Sequence, residues 1–516
     1  MMKGIIIFYK DKSSKYADEK VFAGKSAREL SKVWAYQLGN EVFTIDSDQA
    51  GSLVSLLEAA KAACQKASAD FAVFSYDDLP FLDLALTQKM CASHAEYKSE
   101  YTFADGYPYG FTPEIIDAGT LSILLELAHT SQASLGQAPM SQDSIWNLIK
   151  TDVNSFEVES ELAPHDWRLY RFAFSCGNKE NFLQSKALFE ALSGDLSKSS
   201  DEKASVASRT AACLKTVPGF YNIQISDRVN SNYTYLPYKK AYEEKFKLSP
   251  EKASASAVMP FEKFAGLVEK IATFSEKAVI SLSNWGEPLT NPELLKMIEK
   301  VLSFDGLSVF LETDGLLIND DFCSQLGQLV NKAAPRTNGW QKVMVALSLD
   351  AASAETFVKL HDGTRPEDFG RAVEAVEKLQ SVIPGMVYPQ FVRLNDNESE
   401  LETFYRYWNE KTNPSAGNLI IQKYDDFAGL LPPCKPADLS PLGRLPCWHL
   451  RRDMNILSNG DVTGCHTCIL SGVVGNVFES SLEEIWHKTD ELLQNHINEK
   501  YIEKCESCDE HYTFNF

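Results

Sequence analysis

Short apolar runs alternate with longer amphipathic stretches along most of the chain. In the first part, apolar runs at 4–9, 41–45 and 71–75 are separated by helix-like stretches around 27–37 and 52–67. This alternation is typical of strands that lie parallel in one sheet with helices packed on it. The pattern predicts a doubly wound α/β unit, which we assign to residues 1–195.

Small and polar residues dominate the segment 194–210. It contains few large apolar groups, so we interpret it as a linker or an exposed connection. We expect a domain boundary there.

A second alternation occupies residues 211–430. Each strand-like run is followed by a helical pattern of ordinary length, and about six such βα units are expected to close into a partial, TIM-like barrel. The active face of such a barrel lies at the C-terminal ends of its strands. Strands are predicted near 221–226, 278–283, 307–312, 342–349, 386–393 and 418–422, and helices near 261–275, 291–302, 320–330, 367–380 and 399–409.

Composition and charge narrow the function classes. A chain of 516 residues is too long for a single hydrophobic core. Its composition, with 44% hydrophobic and 23% charged residues, is ordinary for a globular protein. The formal net charge of -21 disfavours nucleic acid and anionic membranes, because phosphate contacts need clustered Lys and Arg. The apolar run Ile5 to Phe8 is too short for a signal peptide, and no stretch approaches a membrane span. We therefore expect a cytoplasmic protein.

Cysteine placement points to metal ligation. Of 11 cysteines, six lie beyond residue 430 in paired spacings, which does not suit a disulfide framework and favours a reducing compartment. The pair Cys505 and Cys508 can direct two thiolates at one metal, and a predicted hairpin with its turn at 458–461 brings Cys447 near Cys465. Four thiolates suit zinc or a 4Fe-4S cluster, and this chemistry leaves both open.

The same cysteines carry a family resemblance over residues 440–516. The spacing Cys-x12-Gly-x4-Cys, then Gly-Asn with a Ser-Leu-Glu-Glu-Ile-Trp helix within 481–493, then Cys-x2-Cys, resembles the SPASM domain, which binds auxiliary 4Fe-4S clusters. The full pattern has more cysteines, but Phe514 stands where the next is expected. The resemblance therefore implies one cluster, as in the shortened twitch variant. The implied ligands are Cys447, Cys465, Cys505 and Cys508, with Cys468 as a candidate fifth.

Three further side chains flank the pattern. Cys434 precedes it and is not expected to be a ligand. His449 and His466 could contact the cysteine ligands, although histidines at such positions are more often solvated.

The segment 221–238 resembles the opening strand and cluster loop of a radical SAM core. That family places its cysteines in a C-x3-C-x2-C spacing after the strand, where this chain has Val229, Tyr233 and Leu236. None of these supplies a thiolate, so the resemblance implies that the SAM-cleaving cluster has no protein ligands. Bound SAM and radical activity are not expected.

Three later strand ends strengthen this resemblance. The turn 285–288, Trp-Gly-Glu-Pro, is similar to the family's Gly-Gly-Glu-Pro, which contacts the SAM amino group. The stretches 313–315 and 348–350 are similar to its Thr-Asn-Gly and Ser-Leu-Asp. Gly286 and Glu287 are then vestigial SAM-binding residues, or a tight turn kept for folding.

The first unit resembles cytidylyltransferase-like and GT-A-type nucleotide-sugar proteins. The match rests on 78–83, 101–108 and 110–114, while the family's glycine-rich nucleotide loop is missing from 10–25. Asp78 and its acidic neighbours follow the third strand, where open sheets place their ligand crevice, so they could hold a divalent cation or cap the next helix.

The three resemblances in this order are similar to the spiro-SPASM family. Our first hypothesis is a 4Fe-4S-binding protein without SAM-cleaving activity, in which the cluster serves structure, electron transfer or recognition of a protein partner. The alternatives are a nucleotide-sugar or cell-envelope precursor transferase acting through the first unit, and a zinc-stabilised scaffold. A SAM reaction that borrows a cluster is the least favoured reading.

Overall fold

The computed structural model describes residues 2–130, 133–138, 140–237, 258–437, 440–467 and 472–513. The chain forms two compact units, an N-terminal unit of residues 1–216 and a C-terminal unit of residues 217–516. Both are mixed α/β structures with parallel strands. Cys468 and Phe514 lie outside the described residues. Among the described helices, none is long and apolar enough to cross a bilayer.

The N-terminal unit contains a six-stranded sheet in the order β2-β1-β3-β5-β4-β6. Strand β1 pairs in parallel with β2 and β3, whereas β5 is antiparallel to both β3 and β4. A parallel crossover needs a dozen or more residues, and the connection between β4 and β5 is shorter, so the predicted parallel layer is mixed at this point. The strands are β1 Gly4–Lys10, β2 Glu41–Asp46, β3 Phe71–Tyr76, β4 Tyr101–Asp105, β5 Glu114–Asp117 and β6 Val158–Leu162.

Helices cover both faces of this sheet. Along β1, Ile5 and Ile7 pack into one apolar cluster, and Ile6 and Phe8 pack into another with Trp34, as expected for a strand buried on both sides. The helices are Ala27–Leu38, Leu53–Ala67, Leu84–Tyr97, Thr120–His129, Ala133–Gly136, Ser144–Ile149, Lys179–Ala191, Ser200–Ser208 and Ala211–Leu214.

The interpretation of 194–210 as a linker is wrong. Helix Ser200–Ser208 begins there with a capping box, and its Ala204 and Ala207 are fully buried. The backbone N–H and the hydroxyl of Ser200 donate to Oδ2 of Asp83 at 2.9 and 2.8 Å. Small side chains allow this helix to pack closely against its neighbours. Because it contains few large apolar residues, its sequence resembles that of a linker.

The C-terminal unit contains a nine-stranded sheet in the order β14-β13-β11-β10-β9-β7-β15-β16-β17. Its six strands from β7 to β14 are parallel and lie in chain order, each next to its predecessor. The strands are β7 Phe220–Ile223, β9 Ala278–Ser281, β10 Leu307–Thr313, β11 Val343–Ser348, β13 Val387–Arg393, β14 Ile420–Lys423, β15 Asp453–Ile456, β16 Asp461–Thr463 and β17 Val473–Asn476, with the short pair β8 Asn232–Tyr233 and β12 His361–Asp362.

The cysteine-rich segment continues this sheet. Strand β15 pairs in parallel with β7 and antiparallel with β16, which confirms the predicted hairpin. Met454 and Trp486 belong to the same core cluster as Tyr221, so residues of two predicted domains share one core. The predicted helix 481–493 is interrupted and becomes two. The helices are Phe261–Phe274, Leu294–Leu302, Asp320–Lys332, Ala354–Leu360, Pro366–Val382, Leu401–Trp408, Trp448–Arg452, Leu482–His487, Asp490–Ile497 and Glu503–Glu506.

Candidate metal centre and neighbouring pockets

The four predicted ligand cysteines come from three elements of the C-terminal unit. Cys447 directly precedes helix Trp448–Arg452, and Cys465 follows β16 by two residues. Cys505 lies in helix Glu503–Glu506 and Cys508 lies just beyond it. Cys447 is buried, and the other three are partly buried. We call these four residues the cysteine site.

The four thiols lie close enough for the charge of Cys465 to act on the other three. Burial raises the pKa of the Cys447, Cys505 and Cys508 thiols, and the charge of Cys465 raises all three pKa values further. The pKa of Cys508 reaches about 12. A bound cation reverses this preference, because metal ligation stabilises thiolates. The donor set therefore fits a thiolate-ligated metal centre.

The segment that carries the C-x2-C pair is held by contacts from distant residues. The Arg444 guanidinium donates to the carbonyl oxygen of Cys505 and, at 3.1 Å, to that of Glu506. The backbone N–H of Trp448 donates to the carbonyl oxygen of His511 at 2.8 Å. These bonds bring the C-terminal cysteines to Cys447.

The two histidines beside the cysteines differ in exposure, since His449 is buried and His466 is partly exposed. His449 is 9% exposed, and its Nδ1 lies 2.6 Å from Oδ2 of Asp453. Nε2 of His466 lies 3.6 Å from Oδ2 of Asp425. Burial opposes protonation of His466, but Asp425 and Cys465 raise its pKa well above the usual value. His449 is therefore buried rather than solvated, and His466 is only partly exposed.

The positions where radical SAM enzymes have cluster cysteines converge on one small pocket. Val229, Tyr233 and Leu236 line it together with Gly286 and Glu287. Its volume is about 20 Å³, whereas sites for small-molecule ligands usually measure several hundred Å³. The side chains of the loop therefore leave little open volume beside Gly286 and Glu287.

The turn at Gly286 and Glu287 is satisfied internally. Thr313 Oγ1 and the N–H of Leu289 donate to Oε1 of Glu287 at 2.9 and 3.0 Å. Burial and the neighbouring Asp314 raise the pKa of Glu287 to about 8. A Cβ atom on Gly286 would lie 2.0 Å from the Ser226 carbonyl oxygen. Both residues therefore have structural roles in the turn.

The other two strand-end motifs hold the same loop, a role that the sequence did not indicate. Asn230 Nδ2 and Ser231 Oγ donate to the Asp314 carboxylate at 3.0 and 2.8 Å. The Tyr235 hydroxyl donates to Oδ2 of Asp350, and both groups are buried. Only the fold brings these aspartates to the loop.

A larger pocket of about 220 Å³ lies between the sheet and the cysteine site. Trp285 and Phe427 form part of its wall, and His449 and His466 also line it. Lys423 pairs there with Glu510 at 2.9 Å. This polar pocket therefore adjoins the two histidines that flank the cysteines.

The acidic residues of the N-terminal unit have internal partners. Asp77 pairs with Arg28 at 2.9 Å, Asp78 accepts from Ser14 at 3.1 Å, and Asp83 caps the next helix. Burial raises the pKa of both Asp77 and Asp78 to about 6. These observations favour the structural reading over a cation site.

A second pocket of about 210 Å³ lies at the carboxyl ends of β3 and β4. Aromatic side chains such as Tyr76, Tyr107 and Trp146 line it with Glu114 and Asp143. Burial raises the pKa of Glu114 to about 7. Among its described lining residues, there is no Lys or Arg to pair with a phosphate.

Comparison with known proteins agrees with the cysteine pattern. Residues 447–509 match the SPASM family model, an iron-sulfur cluster-binding domain. An uncharacterized protein of Treponema pallidum (strain Nichols) is 35% identical over 378 residues, which cover 72% of this chain and 98% of that protein.

Two solved structures show more distant similarity. Streptococcus suis SuiB bound to precursor peptide SuiA has a TM-score of 0.41 at 14% identity and covers 68% of this chain and 88% of its own. A cytidylyltransferase from Leptospira borgpetersenii serovar Hardjo-bovis has a TM-score of 0.32 at 15% identity and covers 40% of this chain and 94% of its own.

Fold and site together define an α/β protein with parallel sheets and a C-terminal SPASM-type iron-sulfur cluster-binding domain. The chain belongs to the same family as the Treponema pallidum protein.

Proposed function

We propose that this chain is an iron-sulfur protein that holds one 4Fe-4S cluster on Cys447, Cys465, Cys505 and Cys508 and does not cleave SAM. The main support for this proposal is the position of Cys465, because its charge acts on the other three thiols. The cluster serves structure, electron transfer or recognition of a protein partner, and the six parallel strands of the partial barrel act as its scaffold.

The spacing of the thiols favours a cluster over a single zinc ion. Four thiolates on one zinc lie about 3.8 Å apart, as follows from Zn–S bonds of about 2.3 Å in a tetrahedron. Among the described residues, the set of three ligand atoms within 4.8 Å of one another is His449, Asp453 and His466, and no three of the cysteines form such a set. A 4Fe-4S cluster is larger and takes one thiolate at each iron, which suits a wider arrangement.

Loss of SAM chemistry is supported by a separate observation. Val229, Tyr233 and Leu236 provide no thiolate, and the pocket that they line is about 20 Å³. In this proposal, Gly286 and Glu287 keep the vestigial turn for folding, and the enzyme activity of radical SAM relatives is absent.

Metal analysis of anaerobically purified protein tests the proposal. We expect iron and sulfide in near-equal amounts, about four of each per chain, and a visible absorbance band that dithionite bleaches. Cys465→Ser should abolish the band, whereas Cys434→Ser, a control at a partly buried cysteine outside the site, should keep it. Colourless protein with stoichiometric zinc would contradict the proposal and support the zinc-stabilised scaffold.

A nucleotide-sugar or cell-envelope precursor transferase is a second candidate for the N-terminal unit. The pocket at the ends of β3 and β4 supports it, because open α/β sheets bind ligands there. Phosphate binding lacks a described basic partner in that pocket, so we expect no heat when cytidine or uridine nucleotide sugars are titrated into the protein with Mg²⁺. Binding that Glu114→Gln, a change in the pocket lining, weakens would favour the transferase.

A further inference from the structure

The pocket at the carboxyl ends of β3 and β4 combines aromatic walls with negative charge, and we call it the aromatic pocket. Seven of its 17 lining residues are Phe, Tyr or Trp, and two, Glu114 and Asp143, are acidic. No Lys, Arg or His occurs among the described lining residues. Its volume of about 210 Å³ is below the range usual for drug-sized ligands, so the pocket suits a small molecule.

Three aromatic rings form one wall of this pocket. Tyr101 and Phe103 are two positions apart on β4, so their side chains lie on the same face of the sheet. The ring centres of Phe103 and Trp146 are 4.9 Å apart, and the planes of Tyr101 and Trp146 are inclined by only 14°. Because the faces of aromatic rings carry negative electrostatic potential, a wall of this kind attracts cations.

Glu114 adds a carboxylate beside these rings. It lies opposite Phe74 in the antiparallel pair of β3 and β5, and the Tyr101 hydroxyl donates to its Oε1 at 2.8 Å. Burial, with a smaller contribution from Asp143, raises the pKa of Glu114 to about 7, although the bond from Tyr101 acts in the opposite direction. A positive charge in the pocket would stabilise the ionised carboxylate. The group that complements this lining is therefore a cation.

A metal ion matches the lining less well than an organic cation does. Calcium and magnesium take about six or more oxygen ligands, whereas much of this wall is ring carbon. Among the described residues, no three ligand atoms of His, Cys, Asp or Glu converge in this pocket. A quaternary ammonium ion has no N–H group to satisfy and is the cation that aromatic cages typically recognise.

We propose that the aromatic pocket binds a small organic cation of the quaternary ammonium class, with its nitrogen between the ring wall and the Glu114 carboxylate. The methyl groups of such a ligand pack against the rings, and the carboxylate balances its charge. The ligand needs no phosphate, so this inference is separate from the nucleotide-sugar transferase. It is also independent of the metal at the cysteine site.

Calorimetry with choline and the full-length protein tests this pocket. Glu114→Gln keeps an acceptor for Tyr101 and should weaken choline binding about tenfold, and Trp146→Leu should weaken it at least about threefold. The matched control is Glu126→Gln, because Glu126 is exposed in helix Thr120–His129 and lies outside the pocket lining. This variant should bind choline as tightly as the wild type.

A comparison of two ligands on the wild-type protein gives an answer without any variant. Dimethylbutanol, the uncharged carbon analogue of choline, has nearly the same shape and should bind at least about tenfold more weakly. No heat from choline at millimolar concentration, equal binding of choline and dimethylbutanol, or choline binding that neither Glu114→Gln nor Trp146→Leu weakens would overturn the proposal. Heat from cytidine or uridine nucleotide sugars without heat from choline would overturn it and favour the transferase.

Discussion

The indole Nε1 of Trp285 donates a hydrogen bond to the carbonyl oxygen of His466 at 3.2 Å. This bond joins the turn after β9 to the loop that carries Cys465. The turn 285–288 therefore helps to position the loop that carries Cys465, and Trp285 is a positioning residue.

Replacing Trp285 should loosen the cysteine site. In Trp285→Phe the contact with Phe427 can persist while the hydrogen bond is lost, at a cost of about 1 kcal/mol. We expect iron loss to a chelator to be about fivefold faster, measured as the decay of the visible band. Trp340→Phe, at a partly exposed tryptophan, serves as the control and should decay at the wild-type rate.

Gly286 should tolerate no larger side chain. Its Cβ would lie 2.0 Å from the Ser226 carbonyl oxygen, so Gly286→Ala should lower the free energy of unfolding by about 1–3 kcal/mol or more. Gly266 is the control, since it lies in helix Phe261–Phe274, where an added Cβ atom would meet open space. Gly266→Ala should raise stability by about 0.5–1 kcal/mol in denaturant titrations. Equal effects of the two changes would refute this account.

Glu287 should make the protein less stable at alkaline pH. Its folded pKa of about 8 exceeds the ordinary 4.5, so the native state holds a proton that the unfolded chain has lost between these values. The stabilising contribution is present below pH 4.5 and is lost as the pH rises through 8.

Glu287→Gln removes this dependence while keeping an acceptor for Thr313. Between pH 6 and about 9, the free energy of unfolding of Glu287→Gln should fall less than that of the wild type. The difference should be on the order of 2 kcal/mol at the upper end, measured by denaturant titration. The exposed Glu483→Gln is the control. Parallel pH profiles for wild type and Glu287→Gln would show that Glu287 does not titrate in this range.

Restoring three cysteines should create a second cluster site. Because Val229, Tyr233 and Leu236 line one pocket, the triple change to Cys directs three thiols at a common space and removes the bulk that fills it. After reconstitution we expect about four additional iron atoms per chain, by iron and sulfide analysis. Cysteines at the same three positions that bind no additional iron would show that the loop has lost the geometry as well as the ligands.

The order of strands and helices and the chemistry of the cysteines can be predicted from the residues alone. The spacing of apolar residues predicted the six parallel strands, because a buried strand appears in the sequence as a short apolar run. The hairpin between Cys447 and Cys465 followed from turn residues, and the absent thiolates at 229, 233 and 236 can be read directly from residue identity.

Contacts between side chains that are distant in the sequence, by contrast, could not be predicted before the fold was known. The small residues of 200–208 form a buried helix, which is held by hydrogen bonds from Ser200 to Asp83. Strand β5 is antiparallel to β4 because the connection between them is short. His449 and His466 are 17 positions apart, and their spacing alone did not indicate that both rings would lie beside carboxylates. Their environment depends on contacts between distant segments of the chain, and the local sequence around either residue does not specify the other segment.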